Sequence, residues 1–389
     1  MEHINWKFVL GILLALVIGL VVVLRLTRSV TPFVPPTDRR IPASGTLDEA
    51  AAQKLQAVLD RDVNQLKVPA LQAFVLTADG KTWSGTTGTL DLNRQQPMQR
   101  DDILRVGSVA KTFTAVIILK LIEEGRLKLD DPIAKWFPNF PRANEITVRQ
   151  LLNQTGGIPD VIPKVLMKSV IPSTYWKPEE LVELIAQDEA SFTPRGVFVY
   201  SNTNYILLGL IAEKVSGKPF DRLLREQIIE PLKLEHTYFI PYEPTPAKLV
   251  AGYDRDLASF PGMLDISADN TSWATAAFAS GALASTADDL GVFFERLFAG
   301  ALLSPASMAE MTTYADASNP GFSEQKSYGL GLMRAIIDGQ ELVGHTGEFM
   351  GSSAIAMYSP DNKYLIVVTS NLSYPNLIQV VSDLQANLK

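Results

Sequence analysis

The chain contains no cysteine, so disulfides, thiolate metal sites and a cysteine nucleophile are excluded. Histidine is scarce as well. His3, His236 and His345 are the only three in 389 residues, and no His-Glu-x-x-His cluster exists. No metal and no cofactor are therefore expected. An excess of positive charge is also missing: 35 Lys and Arg face 42 Asp and Glu, for a net charge of −7, which argues against a nucleic-acid surface. There is no internal repeat. The hydrophobic share, 47%, is ordinary for a folded domain, and the length suits one large domain or two smaller ones.

One hydrophobic run does stand out. Residues 8–24 carry no charge, with Lys7 before them and Arg25 and Arg28 after them. That length can span a bilayer, no polar face interrupts it, and no Ala-x-Ala-type cleavage site follows. The expectation is a membrane anchor at 1–28 formed by a single N-terminal helix. A tether at 29–45 rich in proline (Pro32, Pro35, Pro36, Pro42) follows, then a domain at 46–389. Counting Arg25, Arg28, Arg39 and Arg40 would keep the domain in the cytoplasm. The substrate chemistry given below points instead to the periplasm or cell exterior.

Within the domain, a helical pattern begins near Thr46 and continues through Leu55, Leu59 and Val63. Two strands, 70–76 and 82–89, flank the turn Ala78-Asp-Gly-Lys81 and read as a hairpin. Helical patterns follow at 147–154, 178–187, 203–215, 220–229 and 287–298, while 241–270 has no clear period. Strands return at 328–337, 341–344, 352–358 and 364–369, before a closing helix at 376–388. Strands at both ends and helices between them predict an α/β fold of the α+β type. Its antiparallel sheet joins the two ends, helices flank it, and the middle region is mostly helical.

The chemistry gathers around Arg105-Val-Gly-Ser-Val-Ala-Lys-Thr-Phe113. Ser108 falls at a helix start and Lys111 one turn later, on the same face. A serine hydroxyl is a poor nucleophile until a neighbour takes its proton. A helix start adds N–H groups where an oxyanion would form. Downstream lie Tyr200-Ser-Asn202 before a helix and His345-Thr-Gly347 at a strand end. A tyrosine beside Lys111 would ionise more readily, because a cation favours the phenolate. Asn202 could hold a substrate carbonyl, and Gly347 would let a ligand approach closely. Each motif alone has a structural explanation, since serine and asparagine are common caps. The ordered set of three points to catalysis.

That set resembles the serine β-lactamase and penicillin-binding superfamily, in the branch holding class C β-lactamases and D-alanyl-D-alanine carboxypeptidases. Further stretches typical of the branch are Gly125-Arg-Leu-Lys-Leu-Asp-Asp-Pro132, Leu151-Leu-Asn-Gln-Thr-Gly-Gly157, Gly281-Ala-Leu-Ala-Ser-Thr286 and Tyr328-Gly-Leu-Gly-Leu332. The resemblance implies a Ser108 acyl-enzyme, with Lys111 and Tyr200 handling the proton. Asn202, His345, Thr346 and Gly347 would contact substrate, and the backbone N–H groups of Ser108 and Glu348 would form the oxyanion hole. The implied substrate is a small molecule or peptide with an ester, amide or β-lactam carbonyl. A carboxypeptidase-like or β-lactamase-related enzyme of the cell envelope is expected. A carboxylesterase and a non-turnover penicillin-binding receptor or scaffold are the alternatives. Glu348 is larger and more acidic than the residues common at its place, and histidine replaces the usual class C lysine at 345. Arg334 is a candidate partner for a substrate carboxylate. Strand alternation leaves open whether it or Met333 faces the cleft.

Overall fold

The first hairpin forms where the alternating pattern and its polar turn place it. Strands β1 (Ala70–Leu76) and β2 (Thr82–Asp91) pair from Leu76 opposite Thr82 to Ala70 opposite Gly88. The computed structural model describes residues 30–31, 44–45, 47–92, 96–168, 174–188, 192–193, 196–244, 246–255, 263–266, 271–317 and 324–388. The apolar run at 8–24 lies outside the described residues. Among those described, no helix is long and apolar enough to cross a membrane.

Helix α1 (Glu49–Gln65) precedes the hairpin. It starts later than the pattern suggests because Asp48 caps it, accepting from the Ala51 N–H at 2.9 Å. The C-terminal part supplies five strands: β3 (Gln325–Tyr328), β4 (Met333–Ile337), β5 (Gln340–Phe349), β6 (Ser352–Tyr358) and β7 (Leu365–Ser370). They run in that order, all antiparallel, and β7 then pairs with β1, so the two ends of the domain share one sheet. Mixed α/β architecture with an antiparallel sheet is thus what forms.

Two strand expectations need correction. Residues 328–337 do not make one strand. The Gly329–Leu332 segment breaks it, because Gly331 adopts φ +78° and its carbonyl accepts from Thr112 Oγ1 at 2.8 Å. A Cβ at Gly331 would lie 2.6 Å from the Ala115 Cβ, so the turn seats directly on the helix behind Ser108. The strand at 341–344 is longer than expected, and His345-Thr-Gly347 lies within it instead of ending it. Unbroken pairing with β6, from Val343 opposite Tyr358 to Phe349 opposite Ser352, carries it on.

Alternation assigns the two sheet faces. Ile355, Met357, Ile366 and Val368 meet α1 and the closing helix through Leu59, Val63, Val381 and Leu384. Ala354, Ala356, Leu365 and Val367 meet the helical region. There lie α2 (Ala110–Glu123), α3 (Asn202–Ser216) and α4 (Ala287–Phe298); the closing helix, α5 (Leu377–Ala386), packs with α1 on the opposite face. Helix α2 is buried along nearly its whole circumference, including Phe113, Val116, Ile117 and Leu121. Burying each such side chain is worth roughly 1.5–3 kcal/mol. The helix that carries Lys111 is therefore held rigidly at the centre.

Candidate active site

Ser108 sits in a 3₁₀ turn, Gly107–Val109, that runs into α2. Strand β5 lies against this turn at van der Waals distance. A Cβ on Gly347 would fall 1.9 Å from the Val106 carbonyl oxygen and 3.0 Å from the Ser108 nitrogen. A Cβ on Gly107, at φ +49°, would fall 2.4 Å from the Glu348 carbonyl oxygen. The two glycines let the backbones meet, which brings the Glu348 main chain beside Ser108.

Lys111 is fully buried. Its Nζ reaches three oxygens: Ser108 Oγ at 2.8 Å, Asn202 Oδ1 at 2.7 Å and the Ser280 carbonyl at 2.8 Å. Burial lowers its pKa to about 7, with nearby Asp160 opposing the shift. Asn202 starts α3, and its orientation is fixed from behind. Its Nδ2 donates to Asp160 Oδ2 at 3.1 Å, and its backbone N–H donates to Asp160 Oδ1 at 3.2 Å. Burial raises the Asp160 pKa, against hydrogen bonds from Ile162 and Asn202. The side-chain amide of Asn202 is thus engaged with Lys111 and Asp160.

Tyr200 lines the cleft with Ser108, and Lys111 Nζ lies 4.9 Å from its ring centre. The expected phenolate does not follow. Burial, reinforced by Tyr328, raises the Tyr200 pKa well above 10, so desolvation outweighs the cation. His345 also differs from expectation. It is fully buried, its Nε2 lies 2.9 Å from the Tyr328 hydroxyl, and its Nδ1 lies 2.5 Å from the Thr346 carbonyl. Burial first, then Lys111, lowers its pKa to about 3, so the ring is neutral at pH 7. Alternation explains its direction. His345 shares the face of Val343, toward the helical region, whereas Thr346, on the other face, lines the cleft; Gly347, on the His345 face, reaches the cleft because it packs against the Ser108 turn.

The cleft has two lobes that share Ser108, Glu348 and Tyr374. One, about 380 Å³, is walled by Met333, Ile355, Leu377 and Ile378. The other, about 240 Å³, includes Ile162, Asn202, Trp273 and Phe349. Met333 is therefore the cleft residue. Arg334 points away and pairs with Glu341, so it is not placed to meet a substrate carboxylate in the cleft. Glu348 sits on the rim and is exposed. Its Oε2 accepts from Ser353 Oγ and from the Tyr374 N–H at 3.0 Å. Desolvation raises its pKa to about 7.

Reading the sequence missed Asp160, the Ser280 carbonyl and Tyr328 as parts of this site. Asp160 follows Gly156-Gly-Ile-Pro159 in a loop without periodicity, and a carbonyl leaves no residue signature.

The beta-lactamase family model matches residues 55–386. The chain belongs to the beta-lactamase family. The resemblance carried by the three motifs is thereby borne out. Among relatives, the β-lactamase of Escherichia coli (strain K12) is 31% identical over 229 residues, covering 56% of this chain and 58% of that protein. Among solved structures, D-amino acid amidase from Ochrobactrum anthropi SV3, complexed with D-phenylalanine, superposes with a TM-score of 0.80. It is 25% identical, over 87% of this chain and 99% of that one. A D-stereospecific amidohydrolase from Streptomyces sp. gives a TM-score of 0.73 at 33% identity, over 86% and 97% of the two chains. The chain spans from 39% to 67% of the length of the first curated relatives it matches. This member of the beta-lactamase family shares nearly the full extent of both amide-hydrolase structures.

Proposed function

We propose that the chain is a serine hydrolase that forms an acyl-enzyme at Ser108 and acts on amides or esters of small molecules or peptides. One observation carries this reading: the three-oxygen environment of Lys111. A neutral amine has two N–H donors and one lone pair. Two of its three neighbours, Asn202 Oδ1 and the Ser280 carbonyl, can only accept. The lone pair then faces Ser108, whose proton it can take. A pKa near 7 leaves much of Lys111 neutral at neutral pH.

In the proposed cycle, Ser108 Oγ attacks the carbonyl as its proton passes to Lys111. The backbone N–H groups of Ser108 and Glu348 hold the oxyanion. Tyr200, still protonated, donates to the leaving amine or alkoxide as the C–N or C–O bond breaks, and recovers a proton from the Lys111 ammonium. Water then attacks the acyl-enzyme in the reverse sense, releasing the acid and restoring Ser108. His345, buried behind Tyr328, orients that tyrosine and does not touch substrate. With Arg334 turned away and His345 neutral, carboxylate-ended substrates are less well served than the carboxypeptidase expectation required. The two amide-hydrolysing neighbours support an amidase reading.

The proposal includes the location. Residues 8–24 would anchor the chain, with the domain outside the membrane, where envelope amides and esters occur. The test is a membrane-impermeant fluorophosphonate applied to intact cells. It should label the wild type at Ser108 and leave Ser108→Ala unlabelled. Equal labelling of the variant would overturn the nucleophile, and labelling only after lysis would overturn the location.

A further inference from the structure

We infer that Glu348 selects acyl donors bearing a free ammonium group, with an apolar side chain in the adjoining lobe; this rests on the Ser108 acyl-enzyme reading. Glu348 follows Gly347 on β5, and its main chain packs against Gly107, next to the nucleophile. It lines both lobes. Its backbone N–H is the proposed oxyanion donor, so a carbonyl held there brings its own α-substituents to this residue's side chain.

The carboxylate is held in place by neutral donors only, Ser353 Oγ and the Tyr374 N–H, both on Oε2. Among the described residues, no donor reaches Oε1, and neither lobe is lined by Lys or Arg. Among the described residues, Lys111, Arg334 and Arg105 do not pair with this carboxylate. Lys111 is buried and satisfied by three oxygens. Arg334 pairs with Glu341. The Arg105 guanidinium lies 5.6 Å from the centre of the Phe349 ring and lines neither lobe, and its buried Nε has no hydrogen-bond partner among the described residues. The Glu348 carboxylate thus has no counter-ion among the described residues. An ammonium at Oε1 would supply one through a charge-assisted hydrogen bond. A substrate carboxylate would meet like charge instead. Beside Glu348, the lobe walled by Met333, Ile355, Leu377 and Ile378 is apolar and large enough, at about 380 Å³, for an aromatic or branched side chain. The chemistry that fits is an α-amino amide or ester of an apolar amino acid.

The experiment compares kcat/KM for three p-nitroanilides with the full-length protein: phenylalanyl (each enantiomer), 3-phenylpropionyl, which lacks the amine, and benzylsuccinyl, which carries a carboxylate. The better phenylalanyl enantiomer should exceed 3-phenylpropionyl by at least about tenfold, as a charged hydrogen bond allows. Benzylsuccinyl should be the poorest. In Glu348→Gln, which keeps an acceptor for the Tyr374 N–H, the amine preference should fall to within about threefold. If that variant resists fluorophosphonate labelling, inhibition of the wild type decides. 2-Phenylethylammonium should inhibit at lower concentration than 3-phenylpropionate, and equal or reversed potency would overturn the inference. Labelling and turnover without an amine preference would overturn it alone. Absence of both labelling and turnover would overturn the hydrolase reading beneath it.

Discussion

Replacing Asp160 by asparagine should move the pH dependence of Ser108 acylation to lower pH. Two effects act on Lys111: burial lowers its pKa to about 7, and the Asp160 charge resists that fall. Asp160 sits one amide away, through Asn202. Across that amide, roughly 6–7 Å, at an effective dielectric of about 20, a unit charge contributes about 2.5 kcal/mol, close to 2 pKa units. Screening reduces this, so a shift of about 1–2 units is expected. The substitution also releases the Asn202 amide, whose oxygen otherwise faces the ammonium, and that pushes the same way. Acylation requires neutral Lys111, so its rate rises with pH through the Lys111 pKa. A lower pKa therefore moves the rising limb from near pH 7 to about pH 5–6. The plateau falls modestly, because a weaker base abstracts the proton. The assay is the rate of fluorophosphonate labelling between about pH 4 and 10, located by peptide mapping. Glu348 titrates in the same window, so the comparison is made in a Glu348→Gln background. A limb that stays near pH 7 or rises would refute the coupling. A rate still rising at the top of that range would assign the base to Tyr200 instead.

Two other substitutions test the supporting structure. His345 has a folded pKa of about 3 against an ordinary 6.5, so below pH 6.5 the unfolded chain binds a proton that the folded chain refuses. Stability attributable to this ring is complete above pH 6.5 and is lost as pH falls toward 3, by about 2 kcal/mol at pH 5. In His345→Gln, the difference in urea-unfolding free energy between pH 7 and pH 5 should shrink by about that amount; no change would mean the ring is not sequestered. Gly347→Ala would place a Cβ 1.9 Å from the Val106 oxygen, so β5 must withdraw from the Ser108 turn. Labelling should fall by at least about 100-fold with far-UV circular dichroism retained, and near-normal labelling would refute the strand-on-turn contact.

How much of this was legible in the sequence depends on whether local pattern or tertiary contact decides. Helix Ala287–Phe298 was legible to the residue, because Thr286 caps it and one face repeats Leu290, Phe293, Phe294 and Leu297. The hairpin and the pairing of the two chain ends followed from alternation and turn chemistry. Alternation also misled. Tyr328-Gly-Leu-Gly-Leu332 reads as strand, but the packing of Gly331 on α2 breaks it. The three motifs named Ser108, Lys111, Tyr200 and Asn202, and these residues do converge. Period two cannot tell which face meets the cleft, so His345 and Arg334 were assigned the wrong side or left open. Asp160 was invisible, because its role comes from what the fold places in front of it.

Desolvation links the remaining features of the site. A cation beside a tyrosine suggests an ion pair of ammonium and phenolate when only neighbours are considered. Here Lys111, Tyr328 and His345 are buried with Tyr200 half-buried beside them, and loss of solvent disfavours the charged form of each. The result is an amine that is neutral in much of the population at pH 7, two protonated phenols and a neutral imidazole, with Asp160 behind them. A neutral amine can accept the serine proton, and a protonated phenol can give one up, so each group begins the reaction in the form its step requires. Each conversion creates charge in a dry wall, which explains why Asn202 Oδ1 and the Ser280 carbonyl are aimed at Lys111. They lower the cost of the ammonium at the moment it forms, and they need no rearrangement to do so.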